Sequence, residues 1–297
     1  VPVPLWQATK LSWYFLKANG MKNIIAPIDF SPVSINAAKY AANMAAALNK
    51  DLILLHVVQI PVVYGEVPMP MGEFDATQAE AMEEMEKLVR QIDEEMGGKV
   101  TILTTMKVGS PVYELIQQSK GPAIYAIVMG THGAGAMERF FLGSTTTSLI
   151  REAACPVLVI PPDFKFSRPK KIGLASDFKD VVKYTPQKAI LKLLDTFEAQ
   201  LEILHSDPDY KEFEPAAMEE GLMLDTMFEV HRPKFQFLHS GYTEESILHY
   251  ASENAIDLLI IVPKEHGLID SIFKHQHTGS FVRNATLPVM ILKGDFE

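Results

Sequence analysis

Cysteine is nearly missing from this chain: Cys155 is the one thiol among 297 residues. No disulfide can form within it, and such usage fits a reducing compartment, here expected to be the cytoplasm. Cys155 lies in "AACPVLVI", just ahead of an apolar run, and reads as a small buried residue rather than a reactive thiol. No run of about 18 apolar residues occurs, so no membrane-spanning helix and no membrane partner are expected. Positive charge is short too. The formal net charge is −10, which argues against a general electrostatic grip on nucleic acid. An anionic small ligand remains compatible, because local backbone dipoles can outweigh global charge. The chain also lacks the Gly-Lys-Ser/Thr ending of a P-loop, and its most glycine-rich stretch lacks G-x-G-x-x-G spacing.

What is present is strand alternating with helix. At about 100–200 residues per domain, the length corresponds to two domains. "NIIAPI" (23–28) is a short apolar run of the kind buried on both faces of a sheet. Ser31 and Pro32 then start a helix, with Ile35, Ala38, Ala42, Ala45 and Leu48 at helical spacing. "LILLHVV" (52–58), "TILTTM" (101–106), "AIYAIVM" (123–129) and "PVLVI" (156–160) read as four more strands. A Pro/Met-rich loop is expected over 59–76 and a charged helix over 77–96. "GSPVYELIQQ" repeats the Ser-Pro helix start. Such alternation predicts a parallel sheet with helices on both faces.

After a polar, Pro-bearing linker at 161–171 the pattern starts again. "IGLASDF" echoes "IIAPIDF", "LEILHSD" echoes "LILLHVV", and "LHSGYTEESI" echoes "MKVGSPVYELI". "DLLIIV" echoes "YAIVMG", and "LPVMIL" echoes "CPVLVI". The common order argues for an internal duplication. The expected organisation is an extension at 1–20, one domain at 21–162 and a second at 170–294. Met21 opens the first strand pattern and is expected to be the natural start.

The stretch "VMGTHGAGAMERFFLGSTTTSLI" (128–150) carries the chemistry. In open parallel sheets, ligands bind beyond the carboxyl ends of the strands. Gly130 ends the fourth strand there, where a missing side chain admits a ligand to the backbone and permits positive φ. Gly133 serves the same loop. Gly143-Ser144-Thr145 opens the next helix, whose first amides lack helical partners and favour an anion. The hydroxyls of Ser144, Thr145 and Thr146 add donors. Together these make a phosphate cradle from a strand end and a helix start. Asp29, on the same edge, has two readings, a ribose acceptor and a helix cap. His132 is either a phosphate ligand or an exposed loop residue. His56 reads as buried and hydrogen-bonded.

The order "PIDFS", "LLHVV", "VMGTHG", nine residues, "GST" and "CPVLVI" resembles the universal stress protein family. Its signature, G-x2-G-x9-G-(S/T), is matched by Gly130, Gly133, Gly143 and Ser144. The likeness covers 22–160 well and 171–293 loosely, as in a tandem member. The resemblance implies an α/β nucleotide-binding, Rossmann-like fold with two tandem open-twisted parallel five-stranded sheets. It also implies bound ATP, with Mg²⁺ as its counter-ion. Pro27, Ile28 and Asp29 would lie near ribose and adenine, and Val57 would offer backbone to the adenine. Met129, Gly130, Gly133, Gly143, Ser144 and Thr145 would hold ribose and phosphates. The fifth strand is the family's pairing edge, so "PVLVI" and "PVMIL" are expected to pair the halves as an intramolecular pseudo-dimer. A homodimer and an unidentified protein partner are further candidates.

The second half departs from the signature. Counting back from Pro156 and Pro288, Val262 stands for Gly130, Glu265 for Gly133, and His275 and Gln276 for Gly143 and Ser144. A carboxylate and bulky side chains there are expected to exclude ATP, although Asp177 persists at the Asp29 position. Seven of the nine histidines lie in this half. His275 and His277 near a helix start, with Lys264 and Lys274, would suit a metal or another anion, but solvent exposure is the favoured reading. Phosphoryl transfer needs a placed metal and a positioned nucleophile. Glu138 and Arg139 read as a solvated helical face, so slow or no hydrolysis is expected. The leading reading is an ATP-binding stress-response or regulatory protein. A slow ATPase or nucleotide hydrolase and an empty interaction scaffold are its alternatives.

Overall fold

The computed structural model describes residues 23–59, 71–133, 142–206, 214–239, 243–263 and 285–293. The first half holds strands β1 (Asn23–Ile28), β2 (Asp51–Val58), β3 (Ile102–Val108), β4 (Ile124–Gly130) and β5 (Val157–Ile160). Between them run helices α1 (Pro32–Leu48), α2 (Met71–Met96), α3 (Pro111–Ser119) and α4 (Ser144–Glu152). The second half holds β6 (Lys171–Ala175), β7 (Gln200–Ser206), β8 (Lys234–Leu238), β9 (Leu258–Ile261) and β10 (Val289–Ile291). Its helices are α5 (Val181–Tyr184), α6 (Gln187–Phe197), α7 (Pro215–Phe228) and α8 (Thr243–Glu253).

The sheet order is β3-β2-β1-β4-β5-β10-β9-β6-β7-β8. Each half therefore repeats one order, 3-2-1-4-5, counted in its own strands. Neighbours run parallel within each half. The join between β5 and β10 is antiparallel, with Val159 opposite Val289, Leu158 opposite Met290 and Val157 opposite Ile291. The two five-stranded units thus form one open ten-stranded sheet. An apolar fifth strand left alone would carry an unpaired edge, and pairing covers both edges at once.

Side chains alternate across the strands, and each face has its own core. One layer takes Ile24, Ala26, Leu52, Leu158 and Ile160 together with Ile172, Leu174, Met290 and Leu292. The other takes Ile25, Leu55, Val57, Met129, Val157 and Val159 together with Leu259, Val289 and Ile291. Both layers run unbroken through the β5–β10 join. Helix α1 lies close on the first layer because its buried face is largely alanine: Ala37, Ala38, Ala41, Ala42 and Ala45. Asn49, left-handed at φ 52°, ends it.

Three local expectations change. Helix α2 begins at Met71 rather than at 77, so the loop before it is shorter. Asp75 falls near its start, where the helix dipole favours a carboxylate. Residues 60–70 of that loop, like the extension at 1–20, lie outside the described residues. Ser110 stands at the start of α3, yet its side chain makes no capping bond. The linker is not simply polar. Phe164 and Phe166 pack on Tyr40, with ring centroids 6.4 and 5.1 Å away. Asn36 donates to the Phe164 carbonyl at 3.1 Å and accepts from Lys165 Nζ at 3.1 Å. Among the described residues, no helix is long and apolar enough to cross a membrane.

Cys155 is 4% exposed. Burial pushes its thiol up to about 12, so almost no thiolate exists near neutrality. A thiol-reactive disulfide reagent at pH 8 is expected to leave the native chain unlabelled and to label one site per chain in denaturant. Rapid native labelling would show that the β4–β5 region opens.

Candidate functional site

The strand order reverses between β1 and β4, and the predicted residues gather at the carboxyl ends of those strands. Pro27 and Ile28 end β1, with Pro27 half-buried and Ile28 buried. The last β1–β2 pair is Ile28 with His56. Val57 therefore runs one residue past the end of β1. Its side chain and that of Met129 are buried, 8% and 6% exposed. Both can serve a ligand at this edge through the main chain alone.

Asp29 does the capping work weighed for it. Its Oδ1 accepts from the Ser31 amide at 3.0 Å and the Ser31 hydroxyl at 2.6 Å. Ser31 Oγ in turn accepts from the Ser34 amide at 3.2 Å and caps α1. The carboxylate is exposed and aims its other oxygen at the glycine loop. A Cβ on Gly133 would run into Asp29 Oδ2.

The glycines serve close approach rather than unusual dihedrals. Among the described residues, positive-φ glycines are Gly97, Gly98 and Gly109. The expected positive φ is thus not what Gly130, Gly133 or Gly143 supplies. A Cβ on Gly130 would overlap Val33 Cγ1 and stand 3.3 Å from the Val33 carbonyl. The first turn of α1 can sit against the end of β4 because that residue has no side chain. Gly143 differs. It takes extended dihedrals, φ −62° and ψ 150°. A Cβ there would meet its neighbours at ordinary distances, the nearest being His132 Cα at 3.4 Å.

The two pieces of the expected cradle are tied together. The Gly143 amide donates to the Thr131 carbonyl at 2.9 Å. Thr146 Oγ1 donates to the Gly130 carbonyl at 3.2 Å. These bonds commit the Gly143 amide and the Thr146 hydroxyl proton to the frame. Thr146 is 2% exposed. Helix α4 has no side-chain cap at its amino end. Its first intrahelical bond is Thr147 to Gly143, at 2.9 Å. The amides of Ser144, Thr145 and Thr146 precede that bond and belong to the set without helical acceptors. Ser144 is exposed and Thr145 half-buried at the start of α4. His132 is half-buried and its Nδ1 lies 2.9 Å from Thr131 Oγ1. Glu138 and Arg139 lie outside the described residues.

One device went unread in the sequence. Phe30 is left-handed, φ 61°, and its ring lies 4.8 Å from that of His56. His56 Nδ1 lies 2.7 Å from the Ile28 carbonyl. The second half repeats it. Phe178, at φ 52°, stacks on His205 with centroids 4.2 Å apart, and His205 Nδ1 lies 2.9 Å from the Ser176 carbonyl. The repeated "DF" and strand histidine were the available signal. The left-handed phenylalanine had none, since that conformation is costly for a bulky residue.

The second half is built differently at this edge. Pairing registers set Ile261 opposite Ile291 and Met129 opposite Val159, so Val262 stands where Gly130 does. Val262 is buried, in one apolar layer with Val181 and Phe178. The Glu220 carboxylate accepts from the Asp180 and Val181 amides at 3.1 and 2.8 Å. A carboxylate of the chain itself thus holds the start of the helix after β6. Glu265, Lys264, Lys274, His275, Gln276 and His277 lie outside the described residues. Among the described residues, no group of three or more His, Cys, Asp or Glu is placed to hold a metal.

An open, doubly wound α/β protein with its polar opening at the strand-order reversal is the class these features define. The chain belongs to the universal stress protein family. The family model for universal stress proteins matches residues 20–161. A universal stress protein of Methanocaldococcus jannaschii is 33% identical over 169 residues, spanning 54% of this chain and 94% of the relative. One from Mycolicibacterium smegmatis is 34% identical over 148 residues, 47% of this chain. There the match spans about half of the relative, 48%. The crystal structure of a universal stress protein from Archaeoglobus fulgidus covers 92% of this chain and 98% of its own, with a TM-score of 0.68. At 19% identity, that likeness speaks for the fold alone.

Gly130→Ala is expected to destabilise the chain by about 1–3 kcal/mol through overpacking. Adding Val33→Ala should recover part of that loss, and Gly143→Ala should cost less than Gly130→Ala. Chemical denaturation of the single and double variants measures the coupling. Strict additivity of Gly130→Ala and Val33→Ala would remove the close-approach account of Gly130.

Proposed function

We propose that the chain is an adenine-nucleotide-binding regulatory protein of the stress response, holding ATP in its first half (21–162) and not in its second (170–294). The observation that carries the reading is the juxtaposition at the carboxyl edge. The uncapped start of α4 is fastened beside the glycine end of β4 by the bond from the Gly143 amide to the Thr131 carbonyl. Amides without acceptors and a helix dipole favour a phosphate at that point.

In this reading the amides and hydroxyls of Ser144 and Thr145, with the Thr146 amide, receive the phosphates. Gly130 and Gly133 would border the phosphates through their main chain, their missing side chains admitting Val33 and Asp29, and His132 lies within the same loop. Pro27, Ile28 and the main chain of Val57 and Met129 border the base and ribose. Asp29 keeps its cap while facing the sugar. Mg²⁺ would be carried chiefly by the phosphates. Val262, buried where the first half has Gly130, argues against a matching site in the second half. The nucleotide would tune contacts with a protein partner or a second copy of the chain, and hydrolysis is not its purpose.

Gly143→Asp is the informative variant. Its Cβ has room, and aspartate is a favoured N-cap residue, so stability should hold or rise. The new carboxylate would take the amides a phosphate needs and repel it, weakening Mg–ATP binding by about tenfold or more. Titration calorimetry reads the affinity. Mass spectrometry of the denatured wild type should release about one adenine nucleotide per chain. Two per chain would overturn the one-site reading. No bound nucleotide and no titration would leave an interaction scaffold, and turnover lost with Gly143→Asp would favour a slow hydrolase.

A further inference from the structure

Helix α4 is held at both ends, and the carboxyl end is held by the other half of the molecule. Lys293 follows β10 directly. Its Nζ donates to the carbonyls of Arg151 at 2.5 Å and Ala153 at 3.2 Å. These are among the last carbonyls of α4, which have no acceptor role inside the helix. The helix ends without a left-handed residue: Ala153 is extended, φ −61° and ψ 139°. A lysine from the second half therefore takes the place that a glycine motif takes at many helix ends. Its ammonium also meets the negative end of the helix dipole.

We propose that Lys293 is a positioning residue for the candidate nucleotide site, bracing from the second half the helix whose amino end would receive phosphate. The inference rests on the reading of that site given above. Helix α4 has nine residues, about 12–14 Å of rigid rod at 1.5 Å per residue. A tilt released at Glu152 is carried to Ser144. Within its own half, α4 is fastened at its start to Thr131 and Gly130. Just past its end, the Ala154 amide donates to Ser119 Oγ at 2.9 Å. Lys293 adds the attachment that crosses the β5–β10 join. Its side chain is partly buried, and desolvation lowers its pKa. Carbonyls that accept its protons offset that penalty.

The brace has no counterpart at the equivalent position of the first half. Counting from Pro156 and Pro288, the first-half counterpart of Lys293 is Pro161, which has no side-chain donor. The half with the glycine signature is thus supported by the half that has lost it. On the reading above, the second half holds α4 in place.

The test uses the full chain with Lys293→Met, which keeps the apolar stem, and Lys293→Arg, which restores charge and donors. Hydrogen exchange of the ligand-free protein is followed in peptides spanning 144–153, and the Mg–ATP dissociation constant is measured in parallel. Lys293→Met is expected to speed exchange in that segment and to weaken Mg–ATP binding by about threefold to tenfold. Lys293→Arg should stay within about twofold of wild type on both. If Lys293→Met does not fold, Lys293→Gln replaces it with the same expectations. Wild-type exchange and affinity in the charge-removing variant would overturn the proposal. So would a lower melting temperature with both readouts unchanged, the mark of a merely structural contact. A wild type that binds no nucleotide would refute the site reading, and the exchange in 144–153 would still decide whether Lys293 braces the helix.

Discussion

Two apolar strands, each at the end of its half, must lose their open edges, and the rest of the molecule follows from how they do so. β5 and β10 meet antiparallel over three register pairs. Alternation along those strands sends Leu158 and Met290 to one core, and Val157, Val159, Val289 and Ile291 to the other. One short ladder thus makes both hydrophobic layers continuous across the chain. Burial of this kind contributes roughly 25 cal/mol per Å² of apolar surface. The join is therefore a core element, with the energetics of an interior. The linker adds to it by laying Phe164 and Phe166 on Tyr40.

The candidate site is assembled from the same packing. Val33 lies under Gly130, so the first turn of α1 and the end of β4 are in contact. Asp29 ties the end of β1 to that turn through Ser31 and presses toward Gly133. Thr131 and Gly130 hold the start of α4 through Gly143 and Thr146. Four elements, β1, α1, β4 and α4, therefore converge on one opening, and at Gly130 and Gly133 a larger residue would break the contact. The donors that keep this frame are engaged within the chain, and the amides just inside α4 precede its first intrahelical bond.

The halves share a frame and differ in the opening. Both carry a left-handed phenylalanine against a strand histidine whose Nδ1 meets the carbonyl just before the aspartate. Where the first half has Gly130, the second buries Val262. Strand pairing depends on backbone groups and apolar alternation, which tolerate such changes. A cradle for an anion depends on missing side chains, which do not.

Much of this was legible from order and period alone. Apolar runs separated by helical spacings specify a parallel α/β sheet, and five echoes in one order specify its repetition. The glycine spacing from 130 to 143 named the strand end and helix start that do come together. Helix limits were less legible. α2 starts at Met71, six residues before the charged run, because the composition ahead of that run does not forbid helix. What each glycine is for was not legible at all, since Val33 and Asp29 reach Gly130 and Gly133 only through the folded sheet. Nor could the chain order show that Lys293 reaches Arg151, 142 positions away. Local sequence thus determined which elements form and in what order, because propensity and periodicity act between near neighbours. Tertiary structure alone decided which donors are spent on the frame and which contacts cross between the halves, because those bonds join residues the chain keeps far apart.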